Sequence, residues 1–396
     1  MPTLSSRITS INTGGSDGWE VFYRSRRMID AGVDVTELTI GEHDIGTDQS
    51  ILDAMHKAAS GGHTGYPEVP GIHALRREIA KRLQTATGVL TEMENVIITP
   101  GGQSGLFACH IAIGSPGDTA LYVDPCYVTY PGTLRSTSLN AVPVPTRSRD
   151  AFLPQPEVID RLAKETGAKS LLLNSPNNPT GMVYPREHLI EIGKVCEEND
   201  MWIISDEVYD TQVWDGDHIS PRALPGLAER TLLIGSMSKS HAMTGSRMGW
   251  VVAPAPVIDS LIDLATNTTY GVPGYIQDAA LFALQQGEAM ESKVAEPFRR
   301  RRDLLLDVLA KQDFISAIPA KGAMYLMLDI RKTGMSGEEF ANALLDAHHI
   351  AVMPGESFGT SAAGHIRLAL TIEDGKLVSA VQTLCDFAQS LAKTDA

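Results

Sequence analysis

The sequence predicts an α/β fold built on a mostly parallel seven-stranded sheet, with a smaller α+β domain beside it. Three features of the 396 residues support this prediction. Short runs rich in Val, Ile and Leu recur without polar alternation, which is typical of strands that are covered on both faces. Amphipathic helical patterns separate most of these runs, as strand–helix–strand units require. After about Ala279 the pattern changes to long helices with only a few short strands.

The candidate strands of the large sheet lie between residues 96 and 253. They are Val96–Thr99, Thr119–Val123, Ala141–Val144, Ser170–Asn174, Trp202–Ser205, Thr231–Gly235 and Trp250–Ala253. Helical patterns between them cover Gln103–Ile113, Pro156–Lys164 and Arg186–Glu198. Later in the chain we expect helices at Ile276–Gln286, Glu291–Gln312, Gly337–Ala347 and Asp374–Lys393, and strands at Ala323–Asp329, Ala351–Met353 and His365–Leu370. We therefore predict a large domain over residues 45–280, and a small domain formed by residues 1–44 and 281–396.

Composition excludes several classes of protein. The formal net charge of −15 disfavours binding to nucleic acid or to anionic membranes. No apolar run approaches the roughly 20 residues that a membrane helix requires, and residues 1–27 do not resemble a signal peptide. The cysteines are scattered, which argues against a disulfide framework or a zinc site; they are Cys109, Cys126, Cys196 and Cys385. We expect a cytoplasmic protein.

A lysine among small hydroxyl residues follows the strand predicted at residues 231–235. Ser236-Met-Ser238-Lys239 can direct Lys239 into a cleft, and Arg247 follows eight residues later. A deprotonated lysine amine forms Schiff bases readily. Serine hydroxyls and a planar guanidinium together suit a phosphate group. Taken alone, Lys239 would more simply be a solvated surface residue, so its interpretation depends on the other motifs.

Two further strand ends carry polar side chains. Asn178 lies in the loop Asn174-Ser-Pro-Asn-Asn-Pro-Thr-Gly181, where two prolines fix the backbone and the amide could bind a ring hydroxyl. Asp206 can point into the crevice beyond the strand ends, where it would keep a pyridine nitrogen protonated. Tyr209 could bind the phenolic oxygen of the same ring. The alternatives are a rigid turn for the Asn178 loop and a cap for Asp206.

Two weaker motifs complete the set. Pro100-Gly-Gly102-Gln103-Ser-Gly joins a strand to a helix, and its glycines would let backbone amides approach an anion. Gly364-His-Ile-Arg367-Leu places an arginine in a strand of the second domain, where it can bind a carboxylate in a bidentate fashion. Each of these motifs alone also fits an ordinary loop or a surface arginine.

Together and in this order, these segments resemble the class I and II aminotransferases of fold type I, which use pyridoxal 5′-phosphate (PLP). The resemblance extends from about Glu37 to Leu370. It rests on Ser236–Gly249, Asn178–Gly181, Asp206–Tyr209 and Arg367. It implies a ping-pong transfer of an amino group from an L-amino acid to a 2-oxo acid such as pyruvate.

The resemblance also implies a role for each matching residue. Lys239 would form the Schiff base and shuttle the proton, with Asp206 on the pyridine nitrogen and Tyr209 on the ring oxygen as the other catalytic residues. The cofactor-binding residues would be Gly102, Gln103, Tyr127, Asn178, Asp206, Tyr209, Ser236, Ser238, Lys239 and Arg247, with Tyr66 contributed by the neighbouring subunit of a homodimer. Arg367 would hold the substrate α-carboxylate, assisted by Asn178 and the Gly41 backbone amide.

Several segments are more closely similar to the arginine–pyruvate aminotransferase branch of this family. They are Gly18-Trp19, His218-Ile-Ser-Pro221, Ser238–Gly245, Tyr270–Ala280 and Gly355–Leu368. This similarity implies arginine as the amino donor, and a guanidinium side chain would need a carboxylate in the pocket. Asp17, Glu20 and Glu68 are candidates, although an ordinary solvated acid is the simpler interpretation of each.

Other functions remain open at this point. An aspartate or broad-specificity aminotransferase, or a C–S β-lyase of the same fold, would share the catalytic residues. A ligand-sensing module of a transcription regulator is disfavoured by the acidic charge and by the absence of a helix-turn-helix pattern before the motifs. Gly41-Glu-His-Asp-Ile45 and His241 depart from the common family pattern, and we expect both to alter the pocket wall.

Overall fold

The computed structural model describes residues 2–12 and 18–392, and its strands form three sheets. The strands are β1 (Thr36–Glu37), β2 (Val96–Thr99), β3 (Thr119–Asp124), β4 (Asn140–Pro145), β5 (Ser170–Asn174), β6 (Trp202–Asp206), β7 (Thr231–Ser236), β8 (Gly249–Val252), β9 (Ser316–Ala317), β10 (Tyr325–Asp329), β11 (Ile350–Ala351), β12 (Met353–Pro354) and β13 (His365–Ala369).

Helices alternate with these strands. The α-helices are α1 (Ser6–Thr9), α2 (Glu20–Asp30), α3 (Gln49–Ser60), α4 (His73–Thr87), α5 (Gly102–Ile113), α6 (Tyr130–Ser136), α7 (Pro156–Thr166), α8 (Arg186–Glu198), α9 (Met237–Ser240), α10 (Ala255–Thr266), α11 (Gly274–Gln285), α12 (Glu288–Leu309), α13 (Gly337–His348) and α14 (Asp374–Ala392). Short 3₁₀ helices cover Met93–Asn95, Ser148–Asp150, Pro221–Ala223, Ala228–Arg230, Thr244–Ser246, Arg331–Thr333, Gly355–Phe358 and Thr360–Ala362.

The large sheet has seven strands in the order β2-β8-β7-β6-β5-β3-β4. Only β8 runs opposite to the other six strands, so the predicted α/β class and the mostly parallel sheet are confirmed. Alternate residues of one strand pack on opposite faces of this sheet. Leu171 and Leu173 belong to the apolar cluster that includes α7 and α8, whereas Leu172 belongs to the cluster that includes α5 and α10. Burial on both faces explains why these strands are continuous apolar runs.

The region after α12 builds a second core around a four-stranded antiparallel sheet in the order β12-β13-β10-β9. The single strand predicted at Ala351–Met353 is wrong. Ala351 ends β11, which pairs in parallel with β1, whereas Met353 begins β12, which pairs with β13. The chain thus passes from one sheet to the other at Val352, a change that an apolar run does not reveal.

The segment before β2 contains three helices that the sequence pattern did not predict, α2, α3 and α4. The helix α2 contacts α13 and β11, and Arg24 of α2 donates to Asn342 of α13 at 2.8 Å. By contrast, α1 contacts α6, and Arg7 donates to Ser138 at 3.0 Å. The division into domains at residues 45 and 280 stays a prediction. Within residues 2–12 and 18–392, no helix is both long and apolar enough to cross a membrane.

Candidate active site

A cavity of about 480 Å³ opens where β5, β6 and β7 end, and it contains nearly all of the predicted site residues. The predicted residues that line it are Gly41, Gly102, Gln103, Tyr127, Asn178, Asp206, Tyr209, Ser236, Ser238, Lys239, Arg247 and Arg367. Tyr66 is the one residue among the predicted catalytic, cofactor-binding and carboxylate-binding set that does not line it. Parallel strands share one carboxyl edge, so side chains that follow separate strands converge there.

Lys239 lies on α9, the single helical turn that follows β7. Ser236 begins this turn by accepting a hydrogen bond from the Ser238 amide at 3.1 Å and donating one to the Met248 carbonyl at 3.1 Å. The Lys239 ammonium donates to the carbonyl oxygen of Gly41. Among the described residues it forms no ion pair, so a neutral oxygen holds the amine inside the cavity.

Asp206 is a buried carboxylate at the end of β6. Tyr130 donates to its Oδ2 at 2.6 Å, and the Val208 amide donates to Oδ1 at 3.3 Å. Burial raises the pKa of Asp206 to about 6, and the Tyr130 hydrogen bond opposes that rise. A carboxylate placed in this way is suited to a positively charged partner, because such a partner would offset the cost of desolvation.

The Asn178 loop is held to Asp206 by an intervening side chain. Asn174 and Asp206 are partners in the β5–β6 register, and Asn174 Nδ2 donates to the Asp206 carbonyl at 2.9 Å. Asn174 Oδ1 accepts from the Asn178 amide at 2.8 Å. The backbones of Asn178 and Asp206 are therefore joined through the Asn174 side chain.

Arg367, on β13, enters the same cavity from the second sheet and is only 1% exposed. Its guanidinium lies between the rings of Tyr325 and Phe358, 4.4 and 4.6 Å from their centroids. It donates to Asn178 Oδ1 at 3.0 Å and to the Thr39 carbonyl, while its Nε has no partner among the described residues. Burial lowers the pKa of Arg367, but an arginine stays charged in a protein. A buried cation with neutral acceptors is a suitable site for an anion.

The start of α5 and Arg247 together form a candidate anion cradle. Gly101 has φ +81°, and a Cβ at this position would lie 2.3 Å from Arg247 Nη2. A glycine is therefore needed for the guanidinium to reach the helix N-terminus, where free amides favour negative charge. Arg247 itself has φ +50° and donates to the Thr244 carbonyl at 2.8 Å.

Three of the predicted cofactor-binding residues have partners of their own. The Gln103 side chain donates to Thr133 at 2.6 Å and accepts from Thr129 at 3.2 Å, so its amide group is already engaged. Tyr209 meets the hydroxyl of Tyr325 at 3.0 Å. Tyr127 lies edge-to-face with Tyr130, with ring centroids 5.8 Å apart.

Tyr66 lies outside the cavity of its own chain. It is 89% exposed, and its ring packs edge-to-face on Tyr270 at a centroid distance of 5.2 Å. A second cavity, of about 1070 Å³, lies next to the smaller one and shares Trp19, Gln103 and Thr129 with it.

Neither of the two candidate acidic residues that the structure describes, Glu20 and Glu68, lines the smaller cavity. Glu20 lines the larger cavity, Glu68 forms an exposed ion pair with His73 at 3.0 Å, and Asp17 lies outside the described residues. Instead, Glu42 lines the smaller cavity and accepts a hydrogen bond from Thr244 at 3.2 Å.

The residues that depart from the family pattern are His43, Ile45 and His241. We expected them to alter the cavity wall, but none of them lines the cavity. His241 is buried, bonds to Ser240 at 2.8 Å and is not a lining residue. His43 contacts the Lys239 carbonyl at 3.0 Å from behind the cavity, and burial lowers its pKa to about 4. Ile45 is partly exposed and also lies outside the lining.

Sequence reasoning missed several lining residues. Tyr130 follows Tyr127 by three residues and begins α6, but Tyr127 precedes that helix, so no helical spacing marked Tyr130. Tyr325 lies in no motif and is identified only by packing between distant segments, whereas Glu42 lies beside Gly41 in a segment that was singled out without naming Glu42. Trp19 was noted for its similarity to a subfamily but not as part of the site.

Comparison with known proteins places the chain in a family. The family model described as aminotransferase class I and II matches residues 33–384. The arginine–pyruvate transaminase of Pseudomonas aeruginosa is 40% identical over 358 residues, which cover 90% of this chain and 91% of that protein. The aspartate/prephenate aminotransferase of Thermus thermophilus is 36% identical over 355 residues, covering 89% of this chain and 90% of that protein.

Solved structures agree with this assignment. The aspartate aminotransferase of Thermus thermophilus with maleate superposes with a TM-score of 0.90 at 32% identity, and the match covers 97% of this chain and 100% of that one. The predicted fold type I architecture is thus confirmed. With the matching family model and the cavity at the strand ends, these similarities establish that the chain belongs to the aminotransferase class I and II family and is an aminotransferase.

Proposed function

We propose that this aminotransferase uses PLP, with Lys239 as its Schiff-base lysine, and transfers the amino group of L-arginine to pyruvate. The observation that carries the proposal is the convergence of Lys239, Asp206 and Arg367 on one cavity of about 480 Å³. An amine, a buried carboxylate and a buried cation are the three groups needed to hold PLP and the α-carboxylate of an amino acid.

The residues present fit PLP at each of its polar groups. Asp206 is a buried acceptor suited to the pyridine nitrogen, and Tyr209 can donate to the phenolic oxygen. The start of α5 and Arg247 suit the phosphate, because Gly101 leaves the space into which a Cβ would otherwise project. Ser236 supports this cradle by fixing the turn that carries Lys239.

PLP, when bound, supplies an electron sink that stabilises negative charge on the α-carbon of the substrate. Arg367 would orient the substrate by binding its carboxylate through a planar fork. Lys239, in its uncharged form, would take the α-proton on Nζ and later return it to the other reacting carbon. Asp206 would remain ionised beside the ring nitrogen and hold the proton there.

The charges around the cavity support a cationic rather than an acidic substrate side chain. Among the described lining residues, the cations are Lys239, Arg247 and Arg367, and each has a proposed role toward cofactor or carboxylate. None of these three is left for a second substrate carboxylate, as aspartate would require. Glu42 lies at the cavity and could pair with a guanidinium. The 40% identity to the arginine–pyruvate transaminase of Pseudomonas aeruginosa supports the same substrates.

An aspartate aminotransferase is the second candidate. It is supported by the names of several relatives, including the Thermus thermophilus enzyme that is 36% identical. In this case the second carboxylate would need a cation from a partner subunit.

We infer that the enzyme is a homodimer in which Tyr66 reaches the site of the partner. The inference is supported by the exposed Tyr66–Tyr270 pair and by the larger cavity beside the site. Phe107 and Ile111 of α5 are half-exposed along that cavity, which is typical of a surface that another chain covers. Mixing an inactive Lys239→Ala chain with an inactive Tyr66→Ala chain tests this arrangement. Hybrid dimers would regain one intact site of two, whereas no recovery in confirmed hybrids would exclude it.

The proposed reaction is tested by spectroscopy of the purified enzyme. We expect a PLP absorbance band that bleaches on addition of L-arginine without an oxo acid and returns on addition of pyruvate. Bleaching by L-aspartate but not by L-arginine would favour the second candidate. Release of pyruvate and ammonia from a sulfur amino acid, without any oxo acid, would favour a C–S β-lyase. In Lys239→Ala neither half-reaction should proceed, and retained turnover would refute the role of Lys239.

A further inference from the structure

Tyr325 lies at the centre of the site although no motif contains it. It is the first residue of β10, is 3% exposed and lines the cavity. Its hydroxyl lies 3.0 Å from the Tyr209 hydroxyl. That hydroxyl also lies against Gly41, where an added Cβ would be only 1.8 Å away. Tyr325 is therefore in contact with the proposed ring-oxygen donor and with the residue whose carbonyl holds Lys239.

The ring of Tyr325 has a separate contact. Arg367 pairs with Met327 across the β10–β13 ladder, so Tyr325 is its diagonal neighbour on the same face of the sheet. The guanidinium lies 4.4 Å from the Tyr325 ring centroid, which is a cation–π distance. The ring thus helps to orient the Arg367 fork, while the hydroxyl faces Tyr209.

A buried tyrosine need not act through its hydroxyl, and this chain contains an example. Tyr184 is as deeply buried as Tyr325, but its hydroxyl has no partner among the described residues and it does not line the cavity. The Tyr325 hydroxyl differs because it meets the Tyr209 hydroxyl inside the cavity.

Counting protons determines the direction of the Tyr209–Tyr325 hydrogen bond. Burial, and the neighbouring Tyr325, hold the pKa of Tyr209 well above its usual value, so this phenol keeps its single proton. Tyr127 and Arg367 are the other titratable groups that face it. If Tyr209 gives its proton to a cofactor oxygen, it can only accept from Tyr325. A phenol that accepts a hydrogen bond becomes a stronger donor in turn.

We propose that Tyr325 is a positioning residue whose hydroxyl donates to Tyr209, so that the Tyr209 proton is directed to the ring oxygen of PLP, and whose ring orients Arg367 for the substrate carboxylate. This proposal rests on the assignment of PLP as cofactor. It divides Tyr325 into two functions that substitutions can separate. Tyr325→Phe removes the hydroxyl and keeps the ring, whereas Tyr325→Leu removes both.

The hydroxyl function predicts a spectroscopic change in Tyr325→Phe. Donation by Tyr209 stabilises negative charge on the ring oxygen of PLP. A weaker donor would raise the pKa of the Schiff-base nitrogen beside that oxygen, because the more negative oxygen holds its proton more strongly. We expect the pH midpoint of the PLP absorbance change to rise by about 0.5 to 1 unit. The maximum rate of the half-reaction should fall about 3- to 10-fold, which corresponds to the loss of one hydrogen bond. The apparent affinity for the amino donor should be unchanged.

The ring function predicts an additional loss in Tyr325→Leu only. Removing the ring from Arg367 should weaken donor binding by about 3- to 30-fold. Tyr184→Phe is the matched control, because it deletes a buried phenol hydroxyl outside the cavity and should leave all three quantities unchanged.

The experiment uses the four PLP-loaded proteins (wild type, Tyr325→Phe, Tyr325→Leu and Tyr184→Phe) and an amino donor that the wild-type enzyme accepts. A Tyr325→Phe enzyme with the wild-type pH midpoint and rate would overturn the hydroxyl function. Equal donor binding in Tyr325→Phe and Tyr325→Leu would overturn the ring function. Absence of a PLP band in the reconstituted wild-type protein would instead overturn the cofactor assignment, so the two failures are distinguishable.

Discussion

Replacing Arg367 with lysine tests the proposed mode of substrate binding. The lysine keeps a positive charge on β13 but presents a single ammonium instead of a planar fork. It also cannot span the two neutral acceptors that now hold the guanidinium, Asn178 Oδ1 at 3.0 Å and the Thr39 carbonyl. The variant therefore isolates the geometry of the fork from its charge.

The expected loss follows from the hydrogen bonds that the fork makes. A bidentate arginine–carboxylate pair contains two charge-assisted hydrogen bonds, each worth about 1.5–3 kcal/mol. Losing one of them should lower kcat/KM for the amino donor by about 10- to 150-fold. Because Arg367 would bind the carboxylate before and during the reaction, most of the effect should appear in KM rather than kcat.

The assay is the rate of the half-reaction as a function of donor concentration, together with the PLP spectrum. The spectrum should be unchanged, since Arg367 is proposed to contact the substrate and not the cofactor. Arg302→Lys is the matched control, because Arg302 is also buried but pairs with Asp215 at 2.8 Å outside the cavity. A kcat/KM of Arg367→Lys within threefold of wild type, with an intact PLP band, would refute the proposed role.

Three further substitutions test other parts of the site. Burial raises the pKa of Asp206 to about 6, so its contribution to the stability of the PLP-free protein is present below about pH 4 and is lost as the pH rises through about 6. The free energy of unfolding of PLP-free Asp206→Asn should therefore exceed that of wild type by about 2–3 kcal/mol at pH 8 but not at pH 4. Equal denaturation midpoints of the two proteins at pH 8 would contradict this. Gly101→Ala should weaken PLP binding at least about tenfold by displacing Arg247. Gly167→Ala is the control, because Gly167 also has a positive φ but faces open space. Equal PLP titration curves for the two variants would count against the anion cradle. Glu42→Gln should raise KM about 2- to 5-fold for L-arginine but not for L-alanine, and an equal effect on both donors would exclude Glu42 as the guanidinium partner.

Much of the fold was predictable because buried parallel strands have a strong sequence signal. The predicted strands Val96–Thr99 and Ser170–Asn174 match β2 and β5, since both faces of each are covered and each reads as an unbroken apolar run. The signal failed at Ala351–Met353, where a similar run is divided between two sheets. It also failed for α3 and α4, whose exposed polar faces dilute the apolar pattern.

The candidate site was predictable to the extent that it lies at strand ends. Asp206 and Lys239 follow neighbouring parallel strands, so their convergence follows from topology alone. Glu20 and Glu68, candidates for a pocket carboxylate with a solvated acid as the simpler interpretation, do not line the smaller cavity of their own chain. Their positions depend on how the N-terminal segments pack. Tyr66 is outside the cavity of its own chain, and its role in a partner stays a prediction.

The amino-acid pattern alone was enough to predict the fold class, the family resemblance and the candidate site residues, because these depend on local patterns and on motifs that follow strands. The groups that contact these candidate residues from distant parts of the chain are visible only in the tertiary structure. Lys239 meets the carbonyl of Gly41, 198 residues earlier in the chain, and Tyr209 meets Tyr325, 116 residues later. Contacts over such separations are set by how the second sheet packs against the first, and no periodicity or motif in the chain encodes that packing.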